Sequence, residues 1–132
     1  MIKWSETYNE GSLPVTEEIL PNLFRIEVPL PDNSLQSLNA YAIKGDRRNL
    51  IVDTGMNLKA CEDAMKDGLS VLGIDLLRTD FFITHLHLDH FGLLPRLAGE
   101  TNRVYFGRKE VESIAAWPGW KTIARQAEIQ GF

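Results

Sequence analysis

Apolar and polar positions along the chain divide it into segments of different period. In Leu23–Val28 the apolar Phe24, Ile26 and Val28 alternate with Arg25 and Glu27, the two-residue period of a strand with one buried face. Pro29 and Pro31 end it. Before it, Gly11, Pro14 and Pro21 punctuate a stretch with little periodicity, read as a surface lead-in with room for a short edge strand around Val15–Ile19. After a loop rich in Pro, Asp, Asn and Ser, Ala40–Ile43 and Leu50–Val52 flank the polar Lys44–Asn49, the pattern of a hairpin.

From Leu58 the period lengthens. Leu58, Cys61, Met65 and Leu72 recur at helical spacing, Asn57 stands where an N-cap belongs, and Gly73 stands where a left-handed C-terminal residue is wanted. A helix over 58–72 follows. Phe81–Thr84 is a short apolar β-prone run, expected to be a strand buried on both faces. A helix at Phe91–Ala98 ended by Gly99, a strand at Val104–Phe106 and a helix at Lys109–Trp117 come next, and Pro118 fits the first turn of a last helix reaching Ile129. Strands and helices alternate after residue 49, so the fold class is mixed α/β. With no closing strand or polar tail after that helix, the 132 residues read as a single truncated domain.

Composition narrows the function classes. Lys plus Arg total 14 against 18 Asp plus Glu, a net charge of −4 without a basic cluster, which speaks against nucleic acid. The longest apolar runs, Ala40–Ile43 and Ile114–Trp117, are far short of a membrane span. The first residues lack the apolar core of a signal peptide, so the expected location is cytoplasmic. Cys61 is the only cysteine, which excludes an intramolecular disulfide and any multi-cysteine metal centre. On its helical stripe it reads as a buried, inert thiol. Trp4, Trp117 and Trp120 read as packing residues, and Arg47–Arg48 as a solvated turn.

The chemistry is concentrated in Thr84-His85-Leu86-His87-Leu88-Asp89-His90, where all 3 histidines of the chain and an aspartate fall at the end of a strand. In an extended segment His85 and His87 project the same way and Leu86 the opposite way, so both imidazoles can face one ion. Asp89 and His90 follow where the chain turns into a helix, aimed at a neighbouring point with room for a second ion. Imidazole with carboxylate suits zinc, and also iron or manganese.

The sequence His85-x-His87-x-Asp89-His90 resembles the signature of the metallo-β-lactamase superfamily, zinc-dependent hydrolases with an αββα sandwich. Leu50-Ile51-Val52-Asp53-Thr54-Gly55 resembles that family's strand ending in Asp-Thr-Gly, and the likeness runs in order over residues 23–106. It implies two zinc ions in the complete protein, with His85 and His87 helping to hold the first and Asp89 and His90 the second. Asp89 would be the catalytic residue that steers a bridging hydroxide. Asp53 would support the ligand loop, with Thr84 adding a hydroxyl hydrogen bond. The implied substrate is a small molecule: an ester, lactone, thioester or amide.

The family also takes ligands from later segments, whereas this chain has no histidine after His90, and its later acids, Glu100, Glu110, Glu112 and Glu128, lie outside the expected strand-end context. The resemblance therefore implies the N-terminal half of the sandwich, a mostly antiparallel mixed sheet with helices on one face, inactive on its own. Two other readings stay open. One is an inactive half-domain that binds a partner or forms homo-oligomers through its uncovered sheet face. The other is a di-iron oxidoreductase on the same scaffold. The Leu30–Ser37 loop is a candidate substrate cover near the metal centre.

Overall fold

The computed structural model describes residues 16–114 apart from Asp32. The expected last helix, Pro118, and Trp4, Trp117 and Trp120 lie outside the described residues. One six-stranded sheet runs β1 (Thr16–Leu20), β2 (Leu23–Pro29), β3 (Ser37–Ile43), β4 (Asn49–Val52), β5 (Thr79–Ile83) and β6 (Val104–Phe106), in sequence order across the sheet. Strands β1 to β4 pair antiparallel and β4 to β6 parallel. The change of sense follows from the connections. Short turns join the first strands, whereas helix α1 (Lys59–Val71) carries the chain from β4 back to the start of β5, as a parallel crossover requires.

Alternation assigns the two faces. Ile26, Val28, Ala40, Ala42, Ile51, Phe81, Ile83 and Val104 are fully buried on the face that α1 covers with Cys61, Met65 and Leu69. The helix approaches so closely that a Cβ at Gly68 would stand 2.9 Å from Ile26 Cγ2. On the opposite face, register places Arg25, Tyr41, Val52, Phe82 and Tyr105 in one row across five strands. That face is partly open: Phe82 and Ile43 are each 40% exposed. The expectation that the Phe81–Thr84 strand is buried on both faces is therefore corrected. Phe81 points at α1 and Phe82 at the open side, because consecutive strand residues face opposite ways.

Helix α1 ends as expected. Gly73 has φ +67°, and the bonds Gly73 N–H to Ser70 O and Ile74 N–H to Leu69 O satisfy the last carbonyls in a Schellman arrangement. Its start differs. Leu58 is the capping residue and has no side-chain bond, while Asn57 Oδ1 accepts from Arg96 Nε instead. The expected helix over 91–98 is two short ones, α2 (Leu88–Phe91) and α3 (Leu94–Leu97). The break arises because Leu93 N–H bonds to Gly55 O across the fold and Pro95 has no N–H to continue the ladder. Helix α4 (Arg108–Ile114) closes the described chain.

Arg48 is not the solvated turn residue expected of it. Its guanidinium grips both oxygens of Asp80, at 3.0 and 2.7 Å, and also reaches the carbonyls of Thr79 and Thr101. A fork of donors meets a carboxylate on a strand only 13% exposed at its side chain, so the basic group is held against the sheet.

Candidate metal centre

The site stands at the C-terminal ends of β4 and β5, where a parallel pair leaves strand-end groups for the loops that follow. Asp53 leaves β4 with φ +62°, a left-handed conformation that Asp tolerates better than most residues, and its side chain is buried. This bend carries its carboxylate across to the end of β5. There Oδ1 accepts from Thr84 N–H at 2.9 Å and Oδ2 from Thr84 Oγ1–H at 2.8 Å.

The hydroxyl of Thr84 also lies 3.0 Å from His85 Nδ1. Its single hydrogen goes to Asp53, so the ring nitrogen donates to the oxygen. A neutral His85 then carries its proton on Nδ1 and presents Nε2 as a lone pair.

The three imidazoles come together. The rings of His85 and His87 meet edge to face with centroids 4.6 Å apart, and those of His85 and His90 are tilted with centroids 4.0 Å apart. His87 enters α2 in extended conformation and its carbonyl accepts from His90 N–H and Phe91 N–H, which sets the first turn. Asp89 and His90 therefore sit inside α2. The backbone carbonyl of His90 is in turn held by Thr54, through N–H at 2.7 Å and Oγ1 at 2.8 Å.

His90 Nδ1 lies 3.0 Å from Asp53 Oδ2, yet the contact is out of line for a hydrogen bond and the nitrogen is buried without a hydrogen-bond partner. Its Nε2 is 3.6 Å from Asp89 Oδ2. A buried imidazole nitrogen left unpaired is costly unless something else takes it up, and imidazoles beside a carboxylate form a donor set suited to zinc, iron or manganese. The residues present fit such an ion in chemistry. In arrangement they are incomplete: among the described residues, no three His, Cys, Asp or Glu side chains are grouped so that they could hold one.

Helix α2 seats on the strand-end loop at very short range. A Cβ on Gly92 would lie 2.8 Å from Asn57 N and 2.9 Å from Gly55 O. Gly55 has φ +143°, which only glycine adopts with ease. These two glycines fix the Asp-Thr-Gly turn against the histidine helix.

One residue near the cluster was passed over by sequence reasoning. Glu110 of α4 accepts from Leu86 N–H at 3.0 Å, between His85 and His87. Its position, 24 residues beyond, carries no local pattern that marks it. Cys61 is buried as expected, and burial raises its thiol pKa despite backbone hydrogen bonds that lower it.

The model of the metallo-beta-lactamase superfamily matches residues 35–129. The chain belongs to this superfamily. An atrochrysone carboxyl ACP thioesterase from Aspergillus novofumigatus is 35% identical over 94 residues, covering 70% of this chain and 29% of that protein. A second protein of that description, from Paecilomyces divaricatus, is 34% identical over 89 residues, covering 64% and 27%. The crystal structure of a metallo-beta-lactamase family protein from Thermus thermophilus superposes with TM-score 0.68 at 25% identity, over 83% of this chain and 38% of that one. The chain thus spans about 30% of the length of these curated relatives. No helix among the described residues is long and apolar enough to cross a membrane.

Proposed function

We propose that this chain is part of a metal-dependent hydrolase of the superfamily, acting on a small thioester in the cytoplasm. His85, His87, Asp89 and His90 supply ligands toward a two-metal zinc site that further donors complete. The observation that carries this reading is the convergence of three imidazoles beside a buried Asp53 at the strand ends, in a chain whose relatives include proteins named as acyl-carrier-protein thioesterases. A bound metal ion would lower the pKa of a water and polarise the acyl carbonyl.

The chain's own residues have separate tasks in this reading. Thr84 and Asp53 hold His85 in the tautomer that offers Nε2. Asp53 also lies 3.0 Å from His90 Nδ1 without hydrogen-bonding it, so a carboxylate borders the imidazole cluster. Asp89, in the first turn of α2, would orient a water at the metal in this reading.

The test is metal content by elemental mass spectrometry, joined to zinc titration of the chain and of His87→Ala. The reading expects zinc to bind and His87→Ala to weaken it by roughly tenfold or more. It also expects thioester cleavage, in a polypeptide extended to the relatives' length, to need metal and to vanish with the same substitution. Binding and turnover indifferent to His87→Ala would overturn it. Iron retained without supplement, with oxygen consumption, would move the assignment to an oxidoreductase. Metal-free protein that self-associates would point instead to a binding module.

A further inference from the structure

The loop bearing His85 and His87 is held from two sides. Asp53 pins its first residue, Thr84, through both backbone and side chain. The other hold is on Leu86, whose N–H donates to Glu110 Oε2 at 3.0 Å. Leu86 is the residue between the two histidines, so this bond holds the peptide that joins His85 to Leu86 and restrains the loop one residue short of His87. The peptide on its N-terminal side belongs to His85, and the next one leads into His87.

Glu110 occupies a position from which a glutamate ordinarily serves its own helix. Gly107 O accepts from Glu110 N–H and Val111 N–H, so Gly107 caps α4 and Glu110 is the third residue of the first turn. A glutamate there commonly reaches back to the capping residue's own N–H. Here the carboxylate is turned away to a backbone donor 24 residues earlier in sequence. The half-buried Glu110 thereby ties α4 to the histidine loop with a charge-assisted bond, which is stronger than a neutral one.

We infer that Glu110 is a positioning residue for the histidine cluster: its carboxylate sets the His85–His87 loop through Leu86 N–H, and so presents the two imidazoles together. The inference rests on the proposed metal reading only for its consequence in metal affinity. The hold on the imidazoles is a property of the metal-free chain.

The decisive experiment is nuclear magnetic resonance of the metal-free chain, comparing wild type, Glu110→Gln and Glu110→Ala. The Leu86 amide should exchange slowly with solvent in wild type. In Glu110→Ala it should exchange at least about tenfold faster, and the ring resonances of His85 and His87 should shift. In Glu110→Gln, where an amide oxygen still accepts the bond, ring positions should return toward wild type. Unchanged rings in Glu110→Ala, or a Leu86 amide unprotected in wild type, would overturn the inference. If Glu110→Ala fails to fold, Glu110→Asp, whose carboxylate is one methylene short of Leu86 N–H, takes its place with the same faster exchange and ring shifts expected.

Zinc titration of the same proteins adds a second readout. Affinity should fall about tenfold or more in Glu110→Ala and recover in Glu110→Gln, as expected when the support of a ligand is removed. A purely structural tie would lower the unfolding midpoint without moving affinity, and that outcome counts against the inference. Wild type that binds no zinc would defeat the metal reading while the ring resonances still decide the role of Glu110.

Discussion

Two buried aspartates stand at opposite ends of the parallel β4–β5 pair and receive different partners. Asp80, at the start of β5, takes both arms of the Arg48 guanidinium and the N–H of Arg103. Asp53, beyond the end of β4, takes the N–H and hydroxyl of Thr84 and faces His90 Nδ1 out of hydrogen-bonding line. One end is closed by a permanent charge that cannot leave. The other is bounded by an amide, a hydroxyl and an imidazole, none of which carries a permanent charge. The same residue type on the same strands thus builds a clasp at one end and borders the candidate site at the other, and the difference lies in what the neighbouring loops bring.

The largest effect that separates the two ends is expected from Asp80→Ala. It would leave a half-buried guanidinium and the Arg103 N–H without their acceptor, and breaking such a pair from one side costs roughly 2–4 kcal/mol. Urea unfolding should show this loss, while zinc affinity of the folded fraction stays at the wild-type value. Loss of zinc binding from the folded fraction would mean that the two ends are not independent.

Asp53→Ala is the mirror experiment. Zinc affinity should drop about 10–100-fold as the support of Thr84, and through it of His85, is lost, with a smaller cost in stability. Asp53→Asn should fall between, since Asn accepts the Thr84 N–H and tolerates the left-handed backbone at this position. If Asp53→Ala binds zinc as tightly as wild type, the carboxylate serves the turn alone.

Thr84→Val probes a single bond at the same end. It removes the hydroxyl between Asp53 and His85 at nearly constant volume, and should cost about 1 kcal/mol in unfolding free energy. The His85 ring should then lose its preference for the Nδ1–H tautomer, visible in its nitrogen chemical shifts. Thr84→Ser should restore both. An unaltered tautomer in Thr84→Val would remove the hydroxyl from the chain of contacts.

The contrast between the ends was only partly legible in the sequence. The strands showed themselves because alternation of Phe24, Ile26 and Val28 with charged residues is a local signal, and the histidine cluster because its donors lie within six positions. The neighbourhood of Asp53 and Thr84 could be expected only from the resemblance, since 31 residues separate them. Arg48 was misread for the same reason: its partner is 32 residues away, and a basic pair in a turn looks solvated until the parallel strand is placed beside it. Glu110 carried no local mark either. The division of the helix expected over Phe91–Ala98 was not foreseen, and the bond from Leu93 to Gly55 that completes the break is a tertiary one. Local period reveals elements, whereas the groups that close or open a strand end come from distant sequence.

The smallest effect, and the one that isolates the closed end, is on the acid side of the pH profile. Burial pushes the Asp80 carboxyl upward, but the Arg48 hydrogen bonds, the Arg103 amide and the guanidinium charge outweigh it, so its pKa lies below the ordinary 3.8. A carboxyl depressed on folding contributes stability that is present above its unfolded pKa and is lost as pH falls through its folded one. The stability difference between wild type and Asp80→Asn should therefore be level from neutral pH down to the ordinary carboxylate range and shrink only below it. Glu62 is the competing acid: hydrogen bonds from Lys66 and Arg96 hold it at about 2, in the same direction. Its pairs lie at the surface, and salt near 1 M, where the screening length is about 3 Å, should remove most of their share. Asp80, less exposed and gripped by a fork, should keep its acid transition in that salt. A wild-type minus Asp80→Asn difference that disappears with salt would show the clasp to be a surface ion pair, and the two ends of the strand pair would then differ less than their geometry indicates.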